Sequence, residues 1–231
     1  MKRFIAQVVF ICTFFLLCGV SFSQVRVSIF GGPQMTTAKY KVNDEKQPTE
    51  FKPGLQLGGT LKVPFDKQLY FGPAIYYSMK GYKVTLNNPS YPPSEKAINN
   101  ETTIHTIEVA PLLHLDFNTQ PSHFFIKFGP AIDFALSGKE KFDTVGGTGS
   151  VERSMKFAFT EYGRVTAQAI LHFGFESEKG YTVFAHYAEG LGSLNNADNG
   201  PRIKHRIVGL SFGWFFQQPL KIFDSKHSRK K

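Results

Sequence analysis

The chain has 231 residues and a formal net charge of +9, with 24 phenylalanines, nine tyrosines, 21 glycines and only two cysteines. The basic residues are scattered apart from a run at the C-terminus, which argues against a concentrated nucleic-acid-binding surface and a nucleic-acid partner. Both cysteines, Cys12 and Cys18, lie in an N-terminal apolar run, so a mature chain without that run excludes a disulfide scaffold, thiol catalysis and cysteine metal sites.

The first 23 residues are typical of a cleaved secretory signal peptide. Lys2 and Arg3 precede an apolar run over residues 4–20, and Ser21 and Ser23 supply small residues at the cleavage site. A single membrane anchor is an alternative, although the run is short for a spanning helix. A lipoprotein processed at Cys18 is a further alternative, disfavoured because Leu17 stands where that processing requires a small residue. We therefore predict a signal peptide over residues 1–23.

Eight later segments alternate between apolar side chains and small or polar ones, which is the period-two pattern of β-strands. In the third segment, Phe71, Ile75 and Tyr77 fall on one side, and Ala74 and Ser78 on the other. The sequence Phe-Gly-Pro-Ala-Ile occurs at residues 71–75 and again at residues 128–132, in the fifth segment. The predicted strands span residues 25–35, 51–65, 68–84, 103–117, 123–137, 155–175, 181–191 and 203–216.

The connections between these segments alternate between short and long. Short links occupy residues 66–67, 118–122 and 176–180, whereas long polar links occupy 36–50, 85–102, 138–154 and 192–202. This sorting is typical of an up-and-down barrel in an outer membrane, with short turns in the periplasm and long loops outside. We predict an all-β fold, an eight-stranded antiparallel transmembrane β-barrel over residues 24–217 in contact with lipid, and a basic periplasmic tail over 218–231.

Several stretches also resemble the PorT-type family of small outer-membrane β-barrels. They are Leu69-Tyr-Phe-Gly-Pro73, Tyr77-Ser-Met-Lys-Gly-Tyr82, Ile107-Glu-Val-Ala-Pro-Leu-Leu113, Phe128-Gly-Pro130 and Tyr187-Ala-Glu-Gly-Leu191, together with the signal peptide. The resemblance covers nearly the whole mature chain and implies the barrel fold and the outer membrane of a Gram-negative bacterium. Because some members of that family serve a protein-secretion system, it also implies envelope or secretion proteins as partners. The resemblance carries no catalytic residues.

Charged residues on the side of the strands assigned to the lumen form the main candidate site. In a narrow lumen of low dielectric, opposite charges pair because an unpaired charge is costly. A structural network that fills the lumen is the favoured interpretation, and a gated ion path is the alternative. The predicted network consists of Arg26, Lys62, Lys127 and Arg164 with Glu108, Asp116 and Asp133, and Lys80 lies on the same face.

No pattern in the sequence indicates catalysis, a metal or a cofactor. The seven histidines are scattered without the spacing of a metal site. Gly146-Gly-Thr-Gly149 lies in a loop and does not lead from a strand into a helix, so it is not a nucleotide-binding fingerprint. We therefore expect no enzyme activity, no metal and no cofactor.

Three functions fit these expectations. The first is a structural or partner-binding barrel with a side-chain-filled lumen, contacting its partner through Tyr91, Pro92 and Pro93 or through the basic tail from residue 221 to 231. The second is a narrow outer-membrane pore or transporter. The third is a soluble lipocalin-like carrier, in which the apolar faces would line a cavity.

Overall fold

The computed structural model describes residues 25–147 and 149–216. The predicted signal peptide over residues 1–23 and the predicted basic tail over 218–231 lie outside the described residues. Within the part of the chain that is described, no helix is long and apolar enough to cross a membrane.

Eight long strands and three short ones make up the described fold. The long strands are β1 (Arg26–Val42), β4 (Lys52–Asp66), β5 (Leu69–Thr85), β6 (Asn99–Asp116), β7 (His123–Phe142), β9 (Val165–Glu176), β10 (Tyr181–Gly190) and β11 (Arg202–Phe215). The short strands are β2 (Glu45–Lys46), β3 (Thr49–Glu50) and β8 (Val151–Ser154), which pair with β1, β5 and β7 respectively.

The long strands close into a barrel. Consecutive long strands pair antiparallel, and β1 pairs with β4 on one side and with β11 on the other. The closing register runs from Ser28 opposite Phe215 to Lys41 opposite Arg202. Because every long strand of the described chain pairs with a long strand on each side, the sheet closes and satisfies its own backbone groups, as a structure spanning lipid must. The predicted eight-stranded antiparallel up-and-down barrel is confirmed.

The connections are sorted by length between the two ends of the barrel. Short turns over residues 67–68, 117–122 and 177–180 lie at one end, which we call the short-turn end. The opposite, long-loop end carries the connections over residues 43–51, 86–98, 143–164 and 191–201. In outer-membrane barrels the short turns are periplasmic and the longer loops face the outside.

The strand bounds differ from the predicted ones at the long-loop end. β1 continues seven residues past the predicted end at residue 35, and β7 continues to Phe142. The sixth strand was predicted from residue 155, which is wrong: β9 begins at Val165. The segment between β8 and β9 instead folds inward, and its residues Met155 and Tyr162 are buried in an apolar cluster. Its apolar residues therefore pack over the long-loop end of the lumen and do not form part of a strand.

The outward face of the barrel is apolar over a belt of about nine residues per strand. On β5 this belt runs from Phe71 to Met79, and Ile75 in its middle is 59% exposed. Such a length matches the 9–11 residues that a tilted strand needs to cross a membrane. The regular apolar faces of the strands point outward, while charged and polar residues and two clusters of buried apolar residues fill the interior. The described residues thus leave no cavity lined by the apolar strand faces, as a lipocalin requires. The lipocalin alternative is therefore wrong.

Candidate functional site

Charged residues close the lumen near the short-turn end in a group that we call the inner layer, made of Lys62, Asp116, Glu176 and Arg26. Lys62 donates to Asp116 at 2.7 Å and to Glu176 at 3.0 Å, and Arg26 also pairs with Glu176. Each belongs to a different strand, because inward positions on β1, β4, β6 and β9 converge across the narrow interior. All four are buried, so each charge is balanced by direct contact rather than by bulk water.

Two histidines complete the inner layer and raise the question of a metal. His114 Nε2 lies 2.7 Å and His123 Nε2 3.1 Å from Asp116. Candidate ligand atoms of His114, Asp116 and Glu176 all lie within 4.8 Å of one another, which suits a divalent cation such as zinc. However, the ammonium group of Lys62 is in contact with both carboxylates. The positive charge that a metal would supply is therefore already provided by this lysine.

Lys127 lies deeper in the lumen and is held differently. It takes part in none of the ion pairs found among the described residues, and its Nζ lies 5.2 Å from the centre of the Phe125 ring. The rings of Phe184 and Phe215 are also about 6 Å from this atom, at 6.0 and 5.9 Å. Aromatic faces carry negative charge density that attracts an ammonium group. Cation–π contacts thus surround the one predicted lumen lysine that lacks a carboxylate contact in the described structure.

A second group, the middle layer, consists of Lys80, Glu108 and Asp133. Lys80 donates at 2.8 Å to each of the two carboxylates, and its side chain is 1% exposed. Gln168 donates to Glu108, and the Thr166 hydroxyl donates to Asp133 at 3.1 Å. These contacts tie the neighbouring strands β5, β6, β7 and β9 together on the lumen side of the sheet.

A third group, the outer layer, lies beyond the apolar belt and consists of Glu140, Arg153 and Tyr162. Arg153 pairs with Glu140 at 2.6 Å, and the Tyr162 hydroxyl donates to Glu140 at 2.7 Å. Burial, with Tyr82 and Glu140 close by, raises the pKa of the Tyr162 hydroxyl well above its ordinary value, so it remains a donor. The outer layer holds the loop before β9 against β7.

Apolar side chains fill the space around these layers. At the long-loop end, Tyr40, Tyr82, Ile104, Leu194 and Ile203 belong to one buried cluster, and a second cluster occupies the middle of the lumen. Two cavities among the lumen residues measure about 10 Å³ each, room for about one water molecule at most. An eight-stranded barrel has an interior just wide enough for such side chains.

The structure places six of the seven predicted network residues in the lumen and one outside it. Arg26, Lys62, Lys127, Glu108, Asp116 and Asp133 are all buried. Arg164 is exposed just before β9, where it donates to the carbonyl oxygen of Ala135 at 3.2 Å and stands over the Phe157 ring. The backbone of residue 164 already joins the barrel wall, since its carbonyl oxygen accepts a hydrogen bond from the Ala135 N–H at 2.8 Å, but its side chain is exposed at the long-loop end.

The predicted partner contact lies at the long-loop end. Of Tyr91, Pro92 and Pro93, only Tyr91 is exposed, with 38% of its surface accessible. Pro92 is buried, and its carbonyl oxygen accepts a hydrogen bond from Tyr40 at 3.3 Å. The other predicted contact, the basic tail, lies outside the described residues.

Two lumen carboxylates escaped the sequence analysis because they were assigned to connections. Glu176 was assigned to the turn before β10, yet it continues the inward alternation of His172 and Gly174. Glu140 was assigned to a loop, although it continues the alternation of β7 past Gly138. Extending the sixth predicted strand by its own period would have found Glu176. Glu140 could not be found in this way, because a β-bulge near Ser137 shifts the inward positions from odd-numbered to even-numbered residues.

Comparison with known proteins gives one family match and several structural similarities. The sequence model described as outer membrane protein beta-barrel domain matches residues 19–196. No curated protein matches the sequence. Ail of Yersinia pestis, solved with the heparin analogue sucrose octasulfate, aligns at 14% identity over 83% of this chain and 99% of that chain, with a TM-score of 0.41. OprG of Pseudomonas aeruginosa aligns at 10% identity over 83% and 96% of the two chains, with a TM-score of 0.44.

Proposed function

Because the chain belongs to the outer membrane protein beta-barrel domain family and is an integral barrel of the Gram-negative outer membrane, we propose that it is a non-enzymatic, non-conducting protein that binds a partner. The lumen serves as a rigid core rather than as a path. The surface that meets other molecules is then the long-loop end or the periplasmic rim, supported on this core.

The observation that carries the proposal is the closure of the lumen at three heights. Lys62 of the inner layer joins β4 to β9 on the opposite side of the barrel, Lys80 of the middle layer joins β5 to β6 and β7, and Glu140 of the outer layer pairs with Arg153 of the neighbouring β8. Two clusters of buried apolar side chains fill the interior around these layers. A pore needs a continuous column of water, and side chains occupy the interior of a barrel of eight strands. No comparable observation favours the pore or transporter alternative.

The long-loop end offers a recognition surface on a fixed base. Beside the β3–β5 pairing it carries a groove of about 370 Å³, lined by Glu50, Lys83, Glu101, Lys141 and Asp143 among others. The exposed ring of Tyr91 stands at the same end of the barrel. Exposed loops on a rigid scaffold are where binding residues concentrate. The resemblance to PorT-type barrels supports a partner from a protein-secretion apparatus of the envelope.

Site-specific photo-crosslinking on living cells tests partner binding. A photoreactive residue in place of Tyr91 is expected to give a discrete crosslinked adduct, which mass spectrometry then identifies. The matched control places the same residue at Phe65, whose ring is 76% exposed at the short-turn end of β4. If no adduct forms at Tyr91 or at other long-loop positions such as Val145, partner binding through the long-loop end is contradicted. The periplasmic rim would then be the surface to probe.

A further inference from the structure

Charges on the outward wall of the barrel, just beyond the apolar belt, are distributed unevenly around the circumference. On β11 the outward residues change from apolar Leu210 and Val208 to basic Arg206 and Lys204 within one alternation. On β1 the change runs from Met35 through Thr37 to Lys39. Two residues of a strand advance about 7 Å, so Arg206 lies about 7 Å beyond Val208. Lys204 and Lys39 lie about 13 Å along their strands beyond Val208 and Met35, which is between one and two Debye lengths.

The strand register on this wall sets like charges opposite each other. Lys39 lies opposite Lys204, and Lys41 lies opposite Arg202 on one side and Lys46 on the other. Directly opposed like charges on neighbouring strands are destabilising. We call the set Lys39, Lys41, Lys46, Arg202, Lys204 and Arg206 the basic wall patch.

The acidic residues near the basic wall patch do not neutralise it. Glu189 pairs with Lys39 and with Arg206, and Asp44 lies 3.3 Å from Arg202. With Glu45 included, six basic side chains face three acidic ones, an excess of three positive charges. Lys41, Lys46 and Lys204 take part in none of the ion pairs among the described residues.

The wall formed by β5 to β8 at the same height has the opposite arrangement. Lys83 lies opposite Glu101, Glu101 lies opposite Lys141, and Lys141 lies opposite Glu152. Signs alternate from strand to strand there, and a hydrogen bond from Lys52 lowers the pKa of Glu101 below its ordinary value. The basic wall patch is thus a local departure from a charge pattern that this barrel satisfies elsewhere.

We propose that the basic wall patch binds the phosphorylated headgroup of an anionic outer-leaflet lipid. The excess of three positive charges complements a phosphate-bearing headgroup, and the position directly beyond the apolar belt is where the headgroups of surrounding lipid lie. Basic residues close to a membrane surface attract anionic lipid, each contributing about 1 kcal/mol. An occupied patch would also relieve the repulsion between the opposed cations.

Binding of defined lipids to the full mature protein in detergent, measured by native mass spectrometry, tests this assignment. The probe is diphosphoryl lipid A, compared with the same acylated disaccharide without phosphates and with inorganic pyrophosphate. The patch variant is Lys41→Gln/Lys46→Gln/Lys204→Gln, and the control variant Lys83→Gln/Lys139→Gln/Lys141→Gln removes the same charge from the opposite wall. Gel mobility of the folded barrel is checked for each variant, and Lys204→Gln alone replaces the triple variant if that variant does not fold.

The expected result is that diphosphoryl lipid A binds the natural protein and the control variant alike, and that its affinity for the patch variant falls on the order of 100-fold. The phosphate-free lipid is expected to bind weakly to all three proteins. Equal loss in both variants, or equal binding of the phosphate-free lipid, would overturn the proposal. Pyrophosphate binding as tight as that of the lipid would show a soluble-anion site and would overturn it too.

Discussion

Lys62 is the cation that two lumen carboxylates share, and its contacts show what a single sequence can and cannot predict. Alternation along β4 places Lys62 inward, because successive side chains of a strand point to opposite faces. Its partners, Asp116 and Glu176, are on β6 and β9, which are not neighbours of β4 in the sheet. Which inward charges meet across the lumen depends on barrel closure and stagger, and the local pattern does not contain that information.

Replacing Lys62 by methionine is expected to destabilise the barrel strongly. The change leaves Asp116 and Glu176 buried without their shared cation, and breaking a buried pair in this way costs about 3–5 kcal/mol. The free energy of unfolding, measured by urea titration in lipid vesicles, checks this. Lys139→Met is the control, since Lys139 is 72% exposed and its pair with Glu152 spans 3.5 Å. Equal stability of the two variants would contradict a structural role for the inner layer.

Two neighbouring glycines on β4 are expected to respond differently to a methyl group. A Cβ at Gly58 would lie 2.2 Å from the Tyr76 Cβ and 2.3 Å from the Ile75 carbonyl oxygen, whereas at Gly59 its nearest neighbour would be 3.4 Å away. Gly58→Ala should therefore destabilise the barrel, while Gly59→Ala should have little effect. The same urea titration compares them, and a larger loss for Gly59→Ala would mean that the inward and outward faces of β4 are misassigned.

At the scale of the strands, periodicity predicts most of the architecture. Each of the eight predicted segments overlaps one long strand, although the sixth was started ten residues too early, because the lipid face demands an apolar residue at every second position. The extensions of β1 and β7 beyond the belt were missed, since outward residues there, such as Lys39 and Lys141, are polar. In that region polar composition does not distinguish a solvated strand from a loop.

The apolar belt makes a directional prediction on β5. Ile75→Arg places a charge on the lipid face near the middle of the belt, which costs about 2–4 kcal/mol in a transmembrane barrel. Ala74→Ser changes the adjacent, inward-facing position and is expected to cost less. Insertion yield into vesicles and the free energy of unfolding measure both variants. If the two variants insert and unfold alike, the assignment of the lipid-facing side of β5 is wrong.

At the scale of the whole molecule, the sorted connections predict which end faces outside. Epitope tags at Asn43 and Gly146, both in long-loop connections, should be accessible to antibody on intact cells. A tag beside Lys67, in a short turn, should be labelled only after the outer membrane is permeabilised. Labelling of the Lys67 site on intact cells would show that the barrel has the opposite orientation. The basic wall patch would then lie at the inner leaflet.

The closed lumen is the central feature of the molecule, and planar-bilayer recording of the purified protein tests it most directly. With the inner, middle and outer layers in place, the inserted protein is expected to give no stable current steps, while a porin in the same bilayer conducts. Insertion is verified by recovering folded protein from the membrane. Reproducible single-channel steps from the natural protein would contradict the closed lumen and establish the barrel as a pore.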